Sequence, residues 1–87
     1  MAVCSLEIRR SAARELEGIE PQALCWKIIE RIRALADEPH PPGARKLAGS
    51  KNAYRIRHGD NRVLYEILET ERRIVVVKIG HRREVYR

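Results

Sequence analysis

Residues 54–86, YRIRHGDNRVLYEILETERRIVVVKIGHRREVY, carry the pattern from which the fold of this chain follows. Apolar and polar residues alternate one by one here, the period of a strand half-buried against a core. Between Arg57 and Arg62 stands His58-Gly59-Asp60-Asn61, a strong turn signal. The wholly polar Glu69-Thr70-Glu71-Arg72 marks a second turn. Three strands are predicted at residues 53–57, 62–68 and 73–79. They form an antiparallel meander that Gly80 ends, with HRREVYR as a short tail.

Pairing Arg57 with Arg62 across the first turn sets Ile56 opposite Val63, Arg55 opposite Leu64 and Tyr54 opposite Tyr65. Tyr54, Ile56, Val63, Tyr65 and Ile67 then share one face, and Arg55, Arg57 and Arg62 share the other. Val75, Val77 and Ile79 are expected to continue the apolar face, which gives Lys78 to the arginine face. The strand's end brings His81 and Arg82 to the rim, and Tyr86 lies on a tail that can fold back. Like charges directly across a strand pair repel, so the cluster points to an anion. Guanidiniums grip phosphate through paired hydrogen bonds, and a tyrosine beside them can stack on a base. The competing reading is that flexible arginines splay into water.

Upstream, Ala2, Cys4, Leu6 and Ile8 alternate with Val3, Ser5 and Glu7, a half-buried strand over residues 2–8. Ser11 is placed to cap a helix running to about Gly18, with Ala12, Leu16 and Ile19 along one stripe. Pro21 opens a second helix, on which Leu24, Ile28, Ile32 and Leu35 fall at helical spacing, widened by Cys25, Ile29 and Ala36. Trp26 stands at the edge of that stripe, as packing or partner surface. DEPHPPG at residues 37–43 cannot continue a helix; His40 in it is read as an exposed loop histidine. Residues 45–51 form a basic linker anchored by Leu47. The result is one α+β domain over residues 1–87: an N-terminal strand and helical hairpin packed on an antiparallel β-meander, in the order β-α-α-β-β-β.

At 87 residues the chain has room for one core. Its net charge of +6 is lopsided. Residues 1–44 carry six Lys/Arg and seven Asp/Glu, whereas residues 45–87 carry twelve and five. A cationic second half suggests a polyanion, RNA or DNA, on one side; a solvated basic surface is the alternative. No apolar run reaches the roughly 18 residues of a membrane span, and MAVCSLEIRR lacks the layout of a signal peptide. The expected location is therefore cytoplasmic. Cys4 and Cys25 have neither CxxC spacing nor a matching histidine pair, so no metal and no cofactor is expected, and both read as small buried thiols.

The segments PPGARKLAGS, YRIRHGDNRVLYEI and VVVKIGHRREVYR, in this order and spacing, resemble the RelE/ParE superfamily of small toxins, and within it the RelE-like branch. The resemblance implies the toxin of a type II toxin–antitoxin system: a ribosome-dependent endoribonuclease that cleaves mRNA and halts translation. The implied reaction is metal-independent, with the 2′-hydroxyl attacking the adjacent phosphodiester to leave a 2′,3′-cyclic phosphate. A cognate antitoxin is the implied partner beside ribosome and mRNA, with operator DNA bound through the antitoxin. By resemblance the catalytic residues are Arg57, Arg62, Arg82 and Tyr86. Arg55, Lys78, His81 and Arg83 make up the implied RNA-binding set.

The sequence departs from the family pattern in two places. Arg55 and Arg57 stand where lysine is often found, and arginine does not give up its proton at accessible pH. Arg57 is therefore a poor general base. Either His81, His58 or Glu84 takes the proton, or catalysis is mainly electrostatic. Asn61 stands where an aromatic residue often precedes the arginine. A ParE-like toxin that inhibits DNA gyrase without nuclease activity is the alternative function, and a non-catalytic RNA-binding module is the third.

Overall fold

The computed structural model describes residues 4–81. In chain order it contains β1 (Ser5–Ile8), α1 (Arg10–Glu17), α2 (Gln22–Ala34), β2 (Arg45–Lys46), β3 (Ala53–His58), β4 (Asn61–Leu68) and β5 (Arg73–His81). The strands form one five-stranded sheet in the order β1-β5-β4-β3-β2. β1 runs parallel to β5, and every other neighbour is antiparallel. The α+β architecture expected from the sequence is present, with one more strand: Arg45 and Lys46 leave the predicted linker to pair with Arg55 and Tyr54.

The β3–β4 hairpin has the predicted register, with Tyr54 opposite Tyr65, Ile56 opposite Val63 and Arg57 opposite Arg62. The loop between the strands is Gly59-Asp60, and Gly59 has φ +61°. A positive φ at the first residue of a two-residue hairpin loop favours glycine, which has no Cβ to clash.

One core fills the space between the helices and one face of the sheet. Ala12 and Leu16 of α1 and Ile28 and Ile32 of α2 meet Ile56, Val63, Tyr65, Ile67, Ile74, Val76 and Ile79. The third strand departs from the expectation. Leu64 pairs with Lys78 but Tyr65 pairs with Val76, so Val77 is the extra residue of a bulge. The bulge resets the alternation. Ile74 and Val76 face the helices, not Val75 and Val77, while Ile79 returns to the core as expected. Nor does Gly80 end the strand: it pairs with Arg62, and His81 pairs with Asn61.

The helix ends also differ from the expectation. α1 begins at Arg10, before Ser11, with no side-chain cap; α2 has Pro21 as its N-cap residue. Gly18 does end α1, with an ordinary right-handed φ of −84°. Cys4 and Cys25 are half-buried free thiols, and Cys25 Sγ lies 3.2 Å from the Leu16 carbonyl.

The proline-rich loop is tied down from the sheet. Tyr65 donates from its hydroxyl to the Pro39 carbonyl at 2.8 Å, and its ring lies 6.0 Å from that of Tyr54 in a stacked pair. His40 is exposed, as expected, yet packs edge-on against Tyr54 with ring centroids 5.0 Å apart. Tyr65 is fully buried, and burial, assisted by Tyr54 and opposed by Arg31, pushes its phenol up to about 12. This folded value exceeds that of a free tyrosine, about 10. The neutral phenol's contribution to stability is therefore complete below about pH 10 and is lost as pH rises toward 12. Chemical denaturation across this range should show stability falling between about pH 10 and about pH 12. In Tyr65→Phe that fall should be shallower, from a starting stability lower by about 0.5–1.5 kcal/mol for the lost hydrogen bond.

Candidate nucleic-acid interface

The sheet face turned away from the helices carries the arginines in two rows. In the first, Arg45 of β2 lies opposite Arg55 of β3, which lies opposite Leu64 of β4, and Leu64 in turn pairs with Lys78 of β5. In the second, Arg57 lies opposite Arg62, and Arg62 opposite Gly80. Directly opposed side chains in antiparallel strands start about 4.5–5.5 Å apart at Cβ. Arg45, Arg55, Arg57 and Arg62 therefore rise from one patch. Arg57 is exposed, Arg55 half-buried, and Arg62, at 8 % exposure, is the most enclosed charge among the described residues. Sequence reasoning missed Arg45. Its signal was the basic run Arg45-Lys46, which was too short to suggest a strand.

The acids of this face stand at its other end. Glu66 and Glu7 flank Val75 on its two sides, and Arg9 and Arg73 approach them at 3.9 and 2.6 Å. The face is thus polarised along its strands, with the net positive end at the β3–β4 hairpin.

Two predicted contributors sit elsewhere than the flat pattern suggests. Lys78 occupies the first row by register, but its ammonium reaches Glu15 of α1 at 2.9 Å, which offsets its charge. His81 has the opposite parity from Gly80. Together with Asn61 it lines a cleft of about 410 Å³ against Arg14, Glu15 and the turn between the helices. His58 pairs with Asn61 and shares that parity. Neither histidine rises from the arginine face, so the described part of the face can act on a phosphate through charge and hydrogen bonding more readily than by taking a proton. Arg82, Arg83, Glu84 and Tyr86 lie outside the described residues.

A larger cleft, of about 750 Å³, has no arginine in its lining. It lies beside α2 and is lined by Ile19, Pro21, Cys25, Trp26 and Ile29. Trp26 is 57 % exposed, which makes this an apolar surface, as the edge position of Trp26 in the sequence suggested.

Two helices on one face of a small mixed sheet, with opposed arginines on the other, define a class with solved members. A chain in the archaeal RelE–RelB complex from Pyrococcus horikoshii OT3 superimposes with a TM-score of 0.80 at 28 % identity, covering 94 % of this chain and 97 % of that one. Among characterised sequences, the putative toxin RelE1 of Methanocaldococcus jannaschii is 33 % identical over 95 % of this chain and 94 % of its own length. Toxin RelG of Mycobacterium tuberculosis is 31 % identical, with 88 % of each chain covered. Residues 6–86 match the family described as the ParE toxin of the type II toxin–antitoxin system parDE. This chain belongs to the RelE/ParE superfamily of type II toxins, on its RelE-like side.

The row geometry adds Arg45 to the cationic patch of Arg55, Arg57 and Arg62. Arg45→Ala should weaken binding to single-stranded RNA and reduce the slope of log affinity against log salt by about 0.7, one phosphate contact. Fluorescence anisotropy over a salt series reads this directly, and an unchanged slope would place Arg45 outside the interface.

Proposed function

We propose that this toxin acts as a ribosome-dependent endoribonuclease that cleaves mRNA and stops translation in the cytoplasm. The observation that carries this reading is the opposition of Arg57 and Arg62 beside Arg55, on the face of a RelE-type sheet turned away from the helices. In the proposed reaction the 2′-hydroxyl attacks the adjacent phosphorus and the P–O5′ bond breaks, leaving a 2′,3′-cyclic phosphate and a free 5′-hydroxyl. Negative charge builds on the phosphoryl oxygens as the bond order changes. Prepositioned guanidiniums stabilise that charge more than the ground state, which lowers the barrier. Arg55, Arg57 and Arg62 hold and polarise the phosphate. Arg82 assists the departing 5′-oxygen, and Tyr86 stacks on or orients the nucleotide. Arginines do this work by charge alone, with no metal ion in the proposed reaction.

The partner proposed for the resting state is a cognate antitoxin, since the related toxin from Pyrococcus horikoshii was solved as a RelE–RelB complex. Its acidic or apolar segments have two complementary surfaces here, the arginine face and the Trp26 cleft. The toxin–antitoxin complex is proposed to bind operator DNA through the antitoxin.

A second reading, inhibition of DNA gyrase without nuclease activity, draws support from the parDE description of the matching family. The two are separable in cells: gyrase poisoning induces DNA-damage signalling first, whereas mRNA cleavage stops protein synthesis first. Primer extension on mRNA from translating extracts should show discrete toxin-dependent cuts. Arg62→Ala and Arg82→Ala should each reduce them by at least about a hundredfold, in line with loss of a transition-state charge partner. Growth arrest that survives both changes would refute the nuclease assignment.

A further inference from the structure

β5 outruns its neighbour. β1 pairs with it only from Arg73 to Val76, and the Arg9 N–H makes the last bond on that side, to the Val76 carbonyl. From Val77 to His81 the outer edge of β5 has no strand beside it among the described residues. The same segment begins with the Val77 bulge, which interrupts its ladder to β4. The end of β5 should therefore be the loosest part of the sheet. Yet it carries Gly80 opposite Arg62 and His81 opposite Asn61, and it leads directly into Arg82.

A carboxylate from α1 occupies the missing place. Glu15 Oε1 accepts from the Ile79 N–H at 2.9 Å, and its Oε2 lies 2.9 Å from Lys78 Nζ. The first bond is the one a neighbouring strand's carbonyl would have made, and it is charge-assisted. The second holds the carboxylate in place and offsets the lysine's charge. Glu15 itself is anchored one residue before Leu16, whose side chain is in the core.

We propose that Glu15 is a positioning residue, which substitutes for the absent strand and keeps Gly80 and His81 in register with Arg62 and Asn61. The proposal rests on the mRNA-cleaving reading above, but the tether itself can be tested without it. Glu15 does not touch the phosphate; it acts through the backbone of β5. The carboxamide of Glu15→Gln can still accept from the Ile79 N–H, whereas Glu15→Ala cannot. Lys78→Met removes the ion pair and leaves the backbone bond.

The test uses the full chain made by cell-free synthesis. Amide exchange at Ile79 is followed by NMR, and cleavage is measured in translating extracts as a maximal rate and a half-saturating toxin concentration. Glu15→Ala should speed Ile79 exchange and lower the maximal rate, each by at least about tenfold, as expected for loss of a hydrogen bond to a charged acceptor. Glu15→Gln should stay within about threefold of the parent in both, and Lys78→Met within about threefold in Ile79 exchange, as a half-buried ion pair still reached by solvent contributes little. Half-saturation should change little in the Glu15 variants. If Glu15→Ala does not fold, Glu15→Asp, one methylene too short to reach Ile79, takes its place with the same expected losses. The proposal fails if the shortened side chain leaves exchange and maximal rate unchanged, if Glu15→Gln is as impaired as Glu15→Ala, or if only half-saturation moves. A parent protein that cuts no mRNA removes the nuclease reading, and the Ile79 exchange rates then decide the tether by themselves.

Discussion

Arg57 and Arg62 face each other across the β3–β4 hairpin because the opposite face leaves them no choice. Ile56 against Val63 and Tyr54 against Tyr65 form the apolar pairs that the helices cover. A slip of one residue would send those side chains to solvent and bring the arginines into the core, at a cost of several buried side chains of about 1.5–3 kcal/mol each. Burial on one face thus maintains a like-charge pair on the other. The repulsion between an exposed Arg57 and an enclosed Arg62 is set against that cost and is relieved when an anion arrives. The same constraint reaches Arg45, since β2 pairs with β3 and takes its parity from it.

The sheet is widest at its centre and narrow at its edges. β1 has four residues and β2 has two, so among the described residues long parts of β5 and β3 are left without an outer neighbour. Exposed edges invite pairing with other chains. Here each is served by a side chain from the helical layer. Glu15 accepts from the Ile79 N–H on β5, and Arg31 of α2 donates to the Arg57 carbonyl on β3. Each bond ties a helix to the strand that carries a residue of the arginine rows or leads to one. The helical hairpin therefore does more than cover the core: it holds both margins of the cationic end.

Membership of the RelE/ParE superfamily makes the chemistry of this face specific to the chain. With arginine at both positions of β3, the cationic end of the face offers permanent charge and planar pairs of donors and, among the described residues there, no group that readily takes a proton. The histidines that could do so, His58 and His81, have the parity of the helical side. A surface of this kind favours a reaction limited by charge build-up and orientation over one limited by proton transfer.

The order of elements, the hairpin register and the arginine face were legible in the sequence. Alternation with period two and a glycine turn are properties of near neighbours, and both survive folding unchanged. The core parity of β5 was not legible, because Ile74-Val75-Val76-Val77 is apolar on both faces and either alternation fits it. Only packing against α1 and β4 decided where the bulge fell. β2 escaped notice because two residues have no period. Ser11 looked like a cap, yet the chain leaving β1 turned into helix before reaching it. The bond from Ile79 to Glu15 joins residues 64 positions apart, and no local pattern foretells it. Which side chain closes an open strand edge depends on where an entire helix comes to rest, and only the packed core sets that.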